Sequence, residues 1–520
     1  MIRLLHRLCL GLGLIVTVRA QEGQPELLHL AVAGPATLRS RLLPTDLGSM
    51  CSSAEAVAIW ATYVEQLDAA LRASRVDAEA FAEDRARFLG YAGTFHLVVW
   101  LEQEEDGVHV PRWSAGLIAE PDARTDLVAM ARGCEQWLAR LGARTDKAWR
   151  ELEVSTPRVH NGRLLIVLGS AEDRAAATAR AEQFVPLPLP RNEVAHLDIQ
   201  VQRCLLLLRD RNWERGLVGD LVGSGLERAS CAIGSKGPNV ACSLGLNFGN
   251  GPRGLLGSLW PPRTGVPDLD WLVPADTATR FAWRVDTEGL WNTWVGVLAG
   301  AFERTEKVVR SDLERRFCMD AQRDVFAHLR GDALLLWRAV NRAEDEGDHD
   351  ALPFANACLV LPVRNQDALV AGASKLLKAI GAVPDVDGDD VFYGQWAGLG
   401  HVAIGHGVAC LAFGERGRDH VDAVLELASG RPLPADAATI EGEGTAGRGR
   451  VDVSALMVRD VYAQLRLAAA IFGAGDFAPE VRTVAVEALR WQPLLKTNGL
   501  ESASAELRWS RGEAGLLVLW

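Results

Sequence analysis

Apolar residues in this chain fall into short strand-like runs separated by stretches with a helical period, and the same series of segments occurs twice. In the first series, helical spacing over residues 53–73 and 77–89 leads to an apolar strand ending at Trp100, an acidic turn, and a second strand around 115–119. An amphipathic helix over 126–141 follows, then a strand over 162–169 with Gly at both ends. The second series has helices over 287–305 and 311–329, strands ending at Trp337 and around 357–361, a helix over 367–380 and a strand over 407–414. Ser, Asp or Thr stand where N-caps are wanted, and Gly closes the amphipathic helices. We term this block module A. Its copies begin at the runs Leu42-Leu43-Pro44-Thr45-Asp46 and Leu272-Val273-Pro274-Ala275-Asp276.

Behind each A lies a shorter module B, made of a strand (196–199 or 450–453), helical sequence and a hairpin. The hairpins open with Gly225-Leu226-Glu227-Arg228-Ala229-Ser230 and Gly499-Leu500-Glu501-Ser502-Ala503-Ser504, the closest internal match in the chain. Residues 458–472 of the second copy are strongly apolar on one helical face. Strand pairs alternating with helices predict an α+β fold of antiparallel sheets covered by helices, with an internal duplication in the order A-B-A-B. The segments are a signal peptide over 1–20, A1 over 21–184, B1 over 192–248, a linker over 249–268, A2 over 269–430, a linker over 431–449 and B2 over 450–520. Composition alone leaves open whether B completes the sheet of its A.

The length of 520 residues calls for more than one core, because single cores stop growing at about 250–300 residues. A net charge of -12 with interleaved signs speaks against nucleic acid and against a polybasic membrane patch. Arg3, His6 and Arg7 precede an apolar stretch over 8–18 and Val-Arg-Ala, the pattern of a signal peptide cut after Ala20. No later segment is apolar for long enough to span a bilayer, so an exported protein without a membrane span after cleavage is expected, periplasmic or secreted.

In an oxidising compartment Cys231 and Cys242 are the disulfide candidate, flanking the turn-like run Gly234-Ser235-Lys236-Gly237-Pro238-Asn239. A hairpin centred between Lys236 and Gly237 sets them opposite one another, and a bridge there is often strained. Cys134 falls on a helical apolar stripe and reads as a small buried hydrophobe. No zinc spacing occurs.

Two G-x-G-x-x-G matches, 249–254 and 442–447, lack the strand-before, helix-after context that cradles a dinucleotide and read as linkers. The acidic turns Glu105-Asp106-Gly107-Val108-His109 and Glu346-Gly347-Asp348-His349 recur but suit solvated hairpin loops. Asp385, Asp387 and Asp389 alternate around Gly388 as calcium loops do, yet no distal Glu closes the loop, so they are weak metal candidates beside the reading as a polar turn. His401 and His406 fall on opposite strand faces. No nucleophile, metalloprotease or lactamase motif occurs, so no catalytic residue and no cofactor is assigned. Trp100 and Trp337 read as core.

The run Leu272-Val273-Pro274-Ala275-Asp276-Thr277, and more loosely Leu42-Leu43-Pro44-Thr45-Asp46, resembles the start of repeated Leu-Leu-Pro-Ala-Asp-Thr-like modules in exported bacterial proteins of a domain-of-unknown-function family. The strand before Trp337, the helix 367–380 and the strand 407–414 look similar too. The resemblance implies an envelope or secreted location and carries no activity. The expected function is a non-enzymatic binding or interaction protein whose partner is a small molecule or an envelope protein. The alternatives are a divergent hydrolase of envelope or extracellular material, and a structural envelope protein.

Overall fold

The computed structural model describes residues 26–73, 78–101, 113–142, 153–169, 173–186, 188–203, 219–221, 223–249, 251–262, 265–338, 357–379, 382, 384–387, 391–396, 400–413, 417–431, 439–440, 445–452, 491, 493–500, 502–510 and 513–520. The chain divides into two compact units, Met1–Leu208 with Glu227–Leu246 and Leu519, and Arg209–Leu226 with Asn247–Val518 and Trp520.

The first unit starts with β1 (Glu26–Ala33), a strand that the periodicity did not reveal, and continues through helices α1 (Pro35–Leu42), α2 (Asp46–Cys51), α3 (Ala54–Ala73) and α4 (Ala78–Gly90). Strands β2 (Thr94–Leu101) and β3 (Trp113–Ala119) follow, then α5 (Leu127–Gly142), the short β4 (Glu153–Val154) and β5 (Arg158–His160), β6 (Arg163–Gly169), α6 (Arg174–Gln183), β7 (Glu193–Ile199), and β8 (Leu226–Lys236) with β9 (Asn239–Phe248). These strands pair antiparallel in the order β8, β7, β1, β2, β3, β6, with β4 and β5 both on β6. Module B therefore completes the sheet of module A, because β7 pairs with β1.

Four consecutive residues of β6, Leu164 to Val167, are buried, which happens only when both faces of a sheet are covered. Tyr91, Ala119 and Leu164 pack with Leu127 and Ala131 of α5 on one face. Val98, Trp100, Ile118, Leu165 and Val167 pack with Ala177 and Ala181 of α6 on the other. Helices thus sit on both faces.

The second unit holds α7 (Gly254–Leu259), β10 (Val266–Pro267), β11 (Thr277–Arg284), α8 (Thr287–Ala301), α9 (Glu306–Phe317), α10 (Ala321–Asp324), β12 (Asp332–Arg338), β13 (Ala357–Pro362) and α11 (Gln366–Ala379). It continues with β14 (Pro384–Asp387), β15 (Val391–Trp396), β16 (Gly400–Gly405), β17 (Val408–Phe413), α12 (Gly417–Ser429), β18 (Thr439–Ile440), β19 (Thr445–Asp452), β20 (Ser502–Ser510) and β21 (Glu513–Leu519). Its main sheet pairs in the order β20, β19, β11, β12, β13, β17, β16, β15, β14. Counted from β8 and from β20, the first six strands are joined in the same sequence of connections in both units. The hairpins that end in β6 and in β17 agree in detail as well. Asn161-Gly162 and His406-Gly407 all have φ between 49° and 80°, the left-handed pair of a type I′ turn, between β5 and β6 and between β16 and β17.

Several sequence boundaries move. The run at Leu42 ends α1, after the first strand of its unit, whereas the run at Leu272 precedes β11, so the two do not occupy equivalent places. The helix expected over 311–329 begins at Glu306 behind Thr305 and ends at Phe317, where Cys318 turns left-handed. β19 starts at Thr445, inside the expected linker, and α7 with β10 lies inside the other. The turn between β8 and β9 is Gly237-Pro238, one residue beyond the centre expected, with Gly237 at φ 62° as a two-residue hairpin loop wants. Trp100 and Trp337 are buried, as read.

Candidate functional site

The first unit gathers ionisable side chains on the sheet face that carries α6. Alternation places His29 of β1, His96 of β2, and His196 and Asp198 of β7 on that face, with His29 opposite Asp198 and Ala31 opposite both His96 and His196. His29 Nε2 and His96 Nδ1 share a hydrogen bond of 3.0 Å. On its other side His96 Nε2 lies 3.7 Å from Glu120 Oε2, an ion-pair separation too long for a hydrogen bond, and this nitrogen is fully buried. The Phe184 ring lies against both imidazoles, edge-on to His29 with centroids 5.2 Å apart. Asp198 accepts two hydrogen bonds from Arg228 of β8, and His196 Nδ1 is 3.0 Å from Glu193.

Burial, then the neighbouring His96, lowers the His29 pKa to about 4, against the attraction of Asp198, so His29 is neutral near pH 7. Interaction with His96 holds the Glu120 carboxyl below its usual range despite burial. Burial and Asp198 raise Glu26 at the start of β1. The arrangement sets a neutral His29 against His96, between the carboxylates of Asp198 and Glu120, where a proton can be accepted or passed. Among the described residues no group of three or more His, Cys, Asp or Glu is placed to hold a metal ion.

On the face of the second unit's sheet that carries α12, Arg280 opposite Leu336 takes the place of His29 opposite Val98, and Ala282 opposite Leu334 that of Ala31 opposite His96. Arg448 and Arg450 of β19 stand where His196 and Asp198 stand in β7. A Cβ on Gly449 would lie 2.6 Å from the Phe281 ring and one on Gly447 2.9 Å from it, so both glycines make room for that aromatic. This packing need also accounts for Gly447 in the second G-x-G-x-x-G match. On the face beneath α12 the second unit thus has Arg280, Leu334 and Arg448 where the first has His29, His96 and His196.

The second unit has an open groove of about 650 Å³ between the segment 271–276 and α12. Trp271, Pro274 and Leu427 form an apolar wall, Asp276, Glu426 and Arg431 stand at its edge, and the Arg431 guanidinium lies 5.6 Å from the Trp271 ring centre. Leu427 is 38% exposed, and α12 is held from behind by Val421, Val424, Leu425 and Ala428 in the core.

The signal peptide, Asp389, the helix expected over 458–472 and the acidic turns at 105–109 and 346–349 lie outside the described residues. Asp385 and Asp387 lie on β14, opposite Tyr393 and Val391. His401 is in β16 and His406 in the following turn. Cys231 and Cys242 are brought together as thiols, and burial followed by the neighbouring Cys231 pushes the Cys242 thiol up to about 11. None of the residues of the histidine cluster or of the groove edge was singled out as a site from sequence. The legible signal was a polar residue inside an apolar strand, as in Leu28-His29-Leu30 and Phe95-His96-Leu97. No helix among the described residues is long and apolar enough to cross a membrane. No protein-family model, no curated protein and no solved structure matches this chain.

Proposed function

We propose that this is an exported binding protein, built by internal duplication, that holds a ligand or partner in the groove of its second unit. The groove carries the reading: an apolar aromatic wall with a few polar groups at its rim, on a helix anchored by its own core, suits recognition. The shared order of strand connections and the matching type I′ turns support the duplication. A thermal-shift screen of the full chain against sugars, lipids, peptides and metal salts tests the binding, since a ligand of the folded state raises the melting temperature. A shift that is lost in Leu427→Asp supports the groove. A shift that survives this substitution, or a ligand consumed during incubation, refutes the reading.

A second reading, a divergent hydrolase, draws on the cluster in the first unit, where a neutral His29 beside His96 and Glu120 has the character of a proton acceptor. It requires turnover of some envelope ester, amide or glycoside that falls at least tenfold in His29→Gln. A screen of such substrates without turnover removes it.

A further inference from the structure

We infer that the mature protein carries two cross-strand cystines, one in each unit, joining Cys231 to Cys242 and Cys358 to Cys410. The inference goes beyond the binding reading and shares with it only the exported location.

Seven described cysteines are thiols in this structure, and four of them lie in two touching pairs. In the second unit β13 and β17 are neighbours, with Cys358 opposite Ala412 and Val360 opposite Cys410. The two cysteines therefore share one face of the sheet and are diagonal to each other. Their thiols hydrogen-bond, and both are buried in the core beneath α12, at 0% and 1% exposure. In the first unit the two-residue turn Gly237-Pro238 sets Lys236 against Asn239, which makes Cys231 and Cys242 diagonal in the same sense. Their thiols are also in hydrogen-bonding contact.

The right-handed twist of paired strands brings one of the two diagonals close, and both pairs use the same one. Sulfurs already in contact have only about 2 Å to close to reach the bonded distance near 2.05 Å. A buried cysteine can serve as a small hydrophobe, but that role does not require a second cysteine at contact, still less in both units. The bond in the second unit would close the segment carrying α11 and β14 to β17 onto itself. A closed loop of that length restricts the unfolded chain more than the short hairpin loop between Cys231 and Cys242 does.

The chemistry is thiol–disulfide exchange with a disulfide donor, oxidised glutathione or a protein disulfide oxidase. One cysteine, as thiolate, attacks the donor and releases one donor thiol. The second cysteine then displaces the other, so two electrons and two protons pass to the donor, which leaves as two thiols. Burial of Cys358 and Cys410 in the finished core places this exchange before the core closes.

The test refolds the reduced full chain in a mixture of reduced and oxidised glutathione, blocks free thiols with an alkylating agent under denaturing conditions, and maps the peptides by mass. Peptides linked through 231–242 and through 358–410 are expected, with Cys358→Ser losing only the second link. Alkylation of either pair, or links to Cys51, Cys134, Cys204 or Cys318 in their place, overturns the inference. A second arm fractionates a bacterial host expressing the chain with its own N-terminus. Links formed on refolding, with the chain absent from the periplasm and medium, leave the cystines standing and refute export. Chain recovered from the periplasm without the links overturns the cystines instead.

Discussion

Replacing His29 by Gln should make the first unit markedly less sensitive to acid. The imidazole is faced by His96 from β2, Asp198 and His196 from β7, and the Phe184 ring, with Glu26 on its own strand and Arg228 beyond Asp198. Its pKa falls from an ordinary 6.5 to about 4 on folding, so between those values the unfolded chain binds a proton that the folded chain does not. Stability is therefore full above pH 6.5 and is lost as the pH falls toward 4. At about 1.4 kcal/mol per pH unit this drop corresponds to roughly 3 kcal/mol, and because the ring is partly open to water the effective loss should be nearer ~1–2 kcal/mol. Glu120, lowered as well, loses its contribution in the same direction and remains in the variant. The assay is hydrogen exchange of peptides covering β1 and β2 at pH 7.5 and 4.5, for the wild type and His29→Gln. The wild type should lose ~1–2 kcal/mol more protection than the variant over that interval. Equal losses, or a His29 resonance titrating near pH 6.5, would refute the reasoning.

Gly449→Ala should destabilise the second unit by about 1–3 kcal/mol in urea, because the new methyl group meets the Phe281 ring and strand backbone that cannot both retreat. Gly162→Ala meets no atom within 4 Å, yet at φ 74° it should still cost about 1 kcal/mol, a purely conformational penalty readable in the same titration. Thr45→Ala removes a buried cap whose oxygen accepts from the Gly48 N–H at 3.0 Å, and should lower stability by ~1 kcal/mol.

How much of this was legible depended on the range over which residues act. The strands ending at Trp100 and Trp337, the amphipathic helices and the tight hairpins follow from local period and turn chemistry. Strand β1 escaped because Leu27-Leu28-His29-Leu30-Ala31-Val32 is short, lies close behind the expected leader, and is followed by the conspicuous run at Leu42. Starting the first module at that run hid the equivalence of β1 with β11. The helix break at Phe302 to Thr305 has no Gly or Pro to announce it. The histidine cluster was out of reach for a different reason: residues 29, 96, 120 and 196 meet only through the pairing of β3, β2, β1 and β7, which no local pattern specifies. The strand 196–199 was found, but the alternation of His196 and Asp198 with Leu197 and Ile199 was used only to define a strand.

The position of β7 beside β1 has a consequence for the order in which the chain can mature. As the polypeptide emerges from its N-terminus, β1 can pair with β2 as soon as residue 101 is available, but its other edge stays open until residue 193 arrives. For roughly ninety residues of growth an apolar strand presents unpaired backbone to its surroundings, a state that invites association with other chains. A protein made this way benefits from being kept unfolded by a holding factor until its first unit is complete. Any product that ends short of β7 would carry that sticky edge permanently.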